Sequence, residues 1–77
     1  MKTFVIGILS FFENENRLFK VTAENEVDAM KQALIEFTNP KYREDQIEWN
    51  KTIGNTVAEI QDACFNSDMS ITTPMEI

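Results

Sequence analysis

The stretch ENEVDAMKQALIEF, residues 24–37, decides the fold because its apolar residues recur with the period of an α-helix. The apolar positions lie three or four residues apart and form one stripe, made of Val27, Met30, Ala33, Leu34 and Phe37 with Ala29 beside them. Asn25 is a good N-cap, and Asn39-Pro40 ends the helix because proline disfavours the helical conformation of the residue before it. The sequence therefore predicts one amphipathic helix that packs on a sheet.

Residues 3–11 predict the first strand of that sheet, because their apolar side chains alternate over two faces. One face carries Phe4, Ile6 and Ile8, and the other carries Val5, Leu9 and Phe11. The segment Glu13–Asn16 is predicted to be a hairpin loop, and Arg17–Thr22 to be the return strand. The alternative for the first residues is a targeting segment, because Lys2 precedes an apolar run, but no pair of small residues follows for cleavage.

The segment 46–65 allows two interpretations. Alternation of Ile47, Trp49 and Ile53 with polar residues favours a strand, and Gly54-Asn55 is a turn signal before a fourth strand, 56–62. The competing interpretation is a second helix capped at Asn55 or Thr56, with an acidic capping-box residue three positions after Thr56.

We expect an α+β domain with a small antiparallel sheet in the order ββαββ, with ββαβα as the alternative. Residues 1–65 form this single domain, and residues 66–77 form a flexible tail or an edge strand.

Charge and residue usage exclude several classes of function. Thirteen acidic residues against seven basic ones give a net charge of −6, which repels phosphate backbones and anionic membranes. We therefore expect neither direct nucleic-acid binding nor membrane binding. The single cysteine, Cys64, forms no intramolecular disulfide, which suits a reducing cytoplasm, and we expect it to be buried rather than reactive.

The chain has few residues with which to build a catalytic centre. It contains no histidine, and one isolated cysteine does not provide the usual zinc-ligand spacing. We expect no metal, no cofactor and no enzymatic activity. The alternative is a small enzyme that uses carboxylates alone, such as Glu44 and Glu48.

Binding through acidic and aromatic surface residues is the remaining class of function. Aromatic side chains concentrate interface energy, and those expected to lie outside the helix-facing core are Phe11, Phe12, Tyr42 and Trp49. Acidic residues along a helix can imitate spaced phosphates. The candidate partner-binding residues are Glu24, Glu26, Asp28, Glu36, Tyr42, Glu44, Asp45, Glu48 and Trp49.

The hairpin and the following phrase VTAENEVDAMKQALIEF, together with the excess of acids, resemble small accessory proteins with which bacteriophages inhibit host proteins, anti-CRISPR and other anti-defence proteins among them. The resemblance covers about the first half of the chain. It implies a non-catalytic inhibitor in the host cytoplasm that binds a host protein, such as one with a basic nucleic-acid-binding surface. The alternative is a homodimeric structural or regulatory module, in which the exposed sheet face or an edge strand pairs with its copy.

Overall fold

The computed structural model of the protein describes residues 1–77. Its elements, in chain order, are strands β1 (Lys2–Ser10) and β2 (Glu15–Ala23), helix α1 (Glu26–Phe37), a 3-10 turn (Pro40–Tyr42), helices α2 (Arg43–Asn50) and α3 (Val57–Phe65), and strands β3 (Met69–Ile71) and β4 (Met75–Glu76). The strands form one antiparallel sheet, and α1 packs against β1 and β2. The predicted α+β class and the small antiparallel sheet are therefore confirmed.

Strand β1 is the centre of the sheet, because every other strand pairs with it. Strand β2 lies along one side in an unbroken register from Lys2↔Ala23 to Ser10↔Glu15. On the other side, β3 and β4 together form an interrupted edge, in which residues 72–74 face only residues 6–7 of β1. The extra residue makes a β-bulge, and Pro74 lies within it, where no ladder hydrogen bond is lost.

Gly7 allows the bulge to approach β1 closely. Its N–H donates to the hydroxyl of Thr72 at 2.8 Å, and its carbonyl accepts the Thr72 N–H at 2.9 Å. A side chain at Gly7 would begin 3.3 Å from carbons of both Leu18 and Thr72. Glycine therefore leaves the space in which the Thr72 side chain completes the ladder.

The two faces of β1 carry the residues predicted for them and differ in burial. Phe4, Ile6 and Ile8 are buried beneath the helices, whereas Val5 and Leu9 face outward and are partly exposed. Opposite residues of an antiparallel pair share a face, so Phe19 and the other buried residues of β2 join the same inner layer. The sheet thus has one covered face and one bare face.

Helix α1 supplies the apolar layer that covers the sheet. Ala29, Met30, Ala33 and Leu34 are buried, which confirms the predicted stripe. The side chain of Asn25 accepts a hydrogen bond from the Asp28 N–H at 2.9 Å, so the predicted N-cap is confirmed as well.

The hairpin loop begins two residues earlier than predicted. The chain turns at residues 11–14, and Asn16 belongs to β2. Phe11 lies beyond the last β1–β2 pair, and its N–H donates to the carbonyl of Asp68 at 2.9 Å on the β3 side of the sheet. Asn14 adopts a φ of 53°, a left-handed conformation that asparagine tolerates, and so closes a loop of the predicted length.

The strand interpretation of residues 56–62 is wrong, and the competing helix is present as α3. Thr56 accepts the Glu59 N–H at 3.2 Å, while the Glu59 carboxylate accepts the Asn55 N–H at 3.2 Å and the Thr56 hydroxyl at 3.0 Å. These reciprocal bonds form a capping box at the start of the helix. They satisfy backbone N–H groups that, in a strand, would need a neighbouring strand as acceptor. Ile60 and Cys64 then fall on one buried helical face.

The predicted strand through Ile47, Trp49 and Ile53 is wrong as well, because residues 43–50 form α2. Its attachment to α1 is polar: the Asn50 amide donates to the Lys31 carbonyl at 3.1 Å and accepts a bond from Gln46 at 2.8 Å. The Thr38 hydroxyl in turn donates to Gln46 at 3.2 Å. Spacing of apolar residues does not reveal this chain of bonds, so the alternation pattern was misleading.

Cys64 is buried in the core, as expected. Burial raises the pKa of its thiol to about 11, so the reactive thiolate is scarce at neutral pH.

Replacement of Gly54 should destabilise the protein strongly. Gly54 has a φ of 108°, and a Cβ built there would lie 2.5 Å from the Cβ of Glu59. We expect Gly54→Ala to lower the free energy of unfolding by about 2 kcal/mol or more, measured by urea denaturation. Asn55→Ala is the matched control, because the Asn55 side chain is exposed, and it should change stability by less than about 0.5 kcal/mol. Equal effects would contradict the strained role of Gly54.

Stability should depend on the ionisation of Glu59. The Asn55 N–H, followed by the Thr56 hydroxyl, lowers the pKa of the Glu59 carboxyl from its ordinary value of 4.5. A lowered pKa in the folded state gives stability that is present above the ordinary pKa and is lost as the pH falls through the folded value. We expect Glu59→Gln to remove part of this acid dependence in urea midpoints measured between neutral and acid pH. The same slope in both proteins would contradict it.

Candidate binding groove

An open groove lies at the end of the sheet where the β1–β2 turn approaches the carboxyl end of α1. Its volume is about 560 Å³. Three segments form its walls: the hairpin turn, the connection from α1 through the 3-10 turn, and the turn between α3 and β3. Segments that are distant in sequence therefore meet around one concavity.

Two residues in left-handed conformations shape the turns beside the groove. Asn14 has a φ of 53° and Asp68 has a φ of 61°. The Asp68 carbonyl accepts the Phe11 N–H at 2.9 Å, and the Ser10 hydroxyl accepts the Glu13 N–H at 3.3 Å. These bonds hold the hairpin turn and the α3–β3 turn side by side.

Aromatic side chains line the groove at different depths. Phe12 is 89% exposed at the hairpin turn, and Tyr42 is 52% exposed on the opposite wall. Phe37 is half-buried and meets the buried ring of Phe19 edge to face, with ring centroids 6.2 Å apart. Phe37 is thus held in place by the core, whereas Phe12 and Tyr42 are available to a binding partner.

The groove has an excess of negative charge. Glu13, Glu15 and Asp68 contribute carboxylates to its lining, and Arg17 contributes the single guanidinium. The Arg17 guanidinium lies 4.9 Å from the centroid of the Phe19 ring, a cation–π contact. The two ion pairs of the structure, Lys2–Glu76 and Lys51–Glu48, involve none of these groups. The groove carboxylates are therefore free to attract a cationic partner.

The predicted partner-binding residues on α1 are divided between its two ends. Glu24, Glu26 and Asp28 are exposed around its start, where Glu26 and Asp28 line a shallower depression of about 430 Å³. Glu36 is exposed in the last turn, roughly 15 Å along the helix from Glu26 at 1.5 Å per residue. These four carboxylates do not form one patch.

The predicted residues on and before α2 have different surroundings. Tyr42 lines the groove, while Glu44, Asp45 and Glu48 are exposed on the helix. Glu48 pairs with Lys51 at 3.0 Å. Trp49 is half-buried and packs against the hydrophobic core, so it supports α2 more than it presents an aromatic surface.

Most of the groove residues were not singled out from the sequence. Glu13, Glu15, Arg17 and Asp68 come from two turns and one strand end, which only the folded chain brings together, whereas Phe12 was expected to lie outside the helix-facing core. One available signal was the pair Phe11-Phe12 at a strand end, because two consecutive aromatic residues of a strand cannot both face one core. The role of Asp68 had no comparable sequence signal.

The groove offers aromatic surface and charged side chains. Neither Glu59 nor Cys64, the groups whose pKa values are shifted, lines it. No group of three or more cysteine and carboxylate side chains in the structure is placed to hold a metal ion. None of the three helices has the length and apolar character needed to cross a membrane.

Comparisons of the chain with models of protein families, with curated proteins and with solved structures found no match. The chemistry of the groove must therefore be inferred from its own aromatic and charged side chains.

Proposed function

We propose that this protein is a non-catalytic inhibitor that binds a host protein, and that its groove holds a basic segment of that partner. The observation that carries the proposal is the position of Phe12, a large apolar side chain 89% exposed beside an open groove with unpaired carboxylates. The proposed place of action is the host cytoplasm, in keeping with the resemblance to phage accessory proteins.

The exposure of Phe12 favours a binding role, because an exposed phenylalanine does not contribute its free energy of burial to the stability of the fold. Full burial of a phenylalanine side chain is typically worth about 1.5–3 kcal/mol, and the fold does not use this gain at Phe12. Its neighbour Phe11 contacts Phe65 edge to face, with ring centroids 6.4 Å apart. A partner that covered Phe12 and Tyr42 would recover the burial energy at a site with the character of an interface hot spot.

The charge of the groove favours a basic partner. The groove has three carboxylates and one guanidinium, and the whole chain has a net charge of −6. Cationic segments are therefore attracted and phosphate groups are repelled. A protein surface that normally binds nucleic acid has this basic character. Occupation of such a surface by an acidic protein would block its normal ligand, which is the proposed inhibitory action.

The aromatic side chains should dominate the affinity for the partner. The partner is first captured from a bacterial lysate on the immobilised protein, identified, and purified for titration. We expect Phe12→Ala to weaken binding about 30-fold, which corresponds to about 2 kcal/mol. Met75→Ala is the matched control, because Met75 is 67% exposed on β4 outside the groove, and it should change the Kd less than about twofold. Equal losses in the two variants, or no loss with Phe12→Ala, would contradict the groove as the binding site.

The carboxylates should govern the salt dependence of the same complex. We expect the double variant Glu13→Gln and Glu15→Gln to lower affinity about three- to tenfold at low salt and to flatten the dependence of Kd on salt concentration. The matched control is Glu24→Gln with Glu26→Gln, which makes the same change in net charge at the other end of α1. A larger loss from the control pair would place the contact at the start of α1. A salt-insensitive complex would exclude recognition by charge.

A further inference from the structure

Strand β2 has a free edge along its whole length. The backbone groups of Thr3 and Gly7 bond toward the β3–β4 side, through Ile77 and Thr72 respectively. Neighbouring residues of a strand direct their backbone groups to opposite sides, so the even-numbered residues of β1 bond to β2. In the observed register, these bonds use the odd-numbered residues of β2. The N–H and carbonyl groups that point away from the sheet are those of Asn16, Leu18, Lys20 and Thr22.

This edge lacks most of the features that usually prevent strands from pairing, and Lys20 is the one charged residue near its centre. β2 is nine residues long, contains neither proline nor glycine, and keeps its register with β1 without a bulge. The opposite edge is protected, because β3 and β4 have only three and two residues and are separated by the bulge at Pro74. One side of the sheet is therefore closed to a further strand, and the other side is open.

We propose that β2 pairs antiparallel with β2 of a second copy of this chain, about a two-fold axis at Phe19. This register pairs all nine residues of the strand with their copies. It directs the backbone groups of Leu18 toward Lys20 of the second copy, and those of Asn16 toward Thr22. Every outward N–H and carbonyl of the edge then has a partner, in a continuous sheet of two copies.

Charge and overlap select this register among the two-fold arrangements. An axis at Lys20 would place two lysines directly opposite each other, and an axis at Leu18 would pair only residues 15–21. With the axis at Phe19, Glu15 lies opposite Ala23 and Lys20 opposite Leu18, so no like charges are opposed. The strand carries one acid and two bases in a chain of net charge −6, so the copies meet at a strand that is not acidic.

Helix packing is compatible with this pairing. α1 lies against both β1 and β2, and strands are spaced about 4.8 Å apart, so the two copies of α1 would lie about 10 Å apart on the same face. Packed helices have interaxial distances of about 8–10 Å. The apolar layers of the two copies would thus adjoin. Because the strands are antiparallel, the two grooves would lie at opposite ends of the joined sheet.

The register can be tested by substitutions at Leu18. This side chain is 77% exposed in the monomer, so its replacement should leave the fold intact, which circular dichroism checks. Sedimentation equilibrium of the wild-type protein up to about 100 μM should show a mass twice the chain mass of 8.9 kDa. Leu18→Lys opposes Lys20 of the second copy and should weaken the dimer about tenfold or more, whereas Leu18→Glu should retain or strengthen it.

Met75→Lys is the matched control for these substitutions. Met75 is 67% exposed on β4, at the protected edge, so the new charge should leave the dimer unchanged. A wild-type protein that remains monomeric at about 100 μM overturns the proposal. Dissociation by Met75→Lys but not by Leu18→Lys would overturn it as well, because the interface would then be on the other side of the sheet. Equal weakening by Leu18→Lys and Leu18→Glu would refute the register centred on Phe19.

Discussion

The whole structure depends on strand β1 having partners on both of its edges. All the other strands hydrogen-bond to β1, and its inner side chains Phe4, Ile6 and Ile8 are almost completely buried. Helix α1 closes this layer with Met30 and Leu34, so one strand and one helix contribute the centre of a small core. Because β1 is also paired with β2, the short strands β3 and β4 add to an existing sheet. Neither of them would form a stable two-stranded ribbon with β1 alone.

The parts of the fold that follow from periodicity could be predicted, and the parts that depend on polar contacts could not. The alternation of residues 3–11 and the helical stripe of α1 each bury a full apolar face, so sequence spacing and structure agree. Residues 46–53 alternate as well, but residues 43–50 form a helix that the bonds of Asn50 to Lys31 and Gln46 hold against α1. For residues 57–65, the capping box at Thr56 outweighs the strand preference of threonine, valine and isoleucine.

The candidate site was only partly accessible to sequence reasoning for a similar reason. Tyr42 and Phe12 were expected to lie outside the helix-facing core, and both line the groove. The other side chains enter the groove through turns whose shape depends on Asn14 and Asp68 in left-handed conformations. The count of charged residues shows that the chain is acidic, but it does not show where the carboxylates lie in the fold. The carboxylates of α1 are spread along the helix, whereas those of the two turns converge on the groove.

The polar attachment of α2 has a consequence for the motions of the molecule. Asn50 is the one buried residue of this helix, and its side chain holds α2 through hydrogen bonds, while Trp49 adds a half-buried apolar contact with the core. Separation of α2 from α1 would therefore break the bonds of Asn50 and expose Trp49, while the strands and the buried residues of α1 kept their contacts with one another. Tyr42 immediately precedes α2, so such a separation would also displace one wall of the groove, and the shape of the groove thus depends on the few contacts that hold α2.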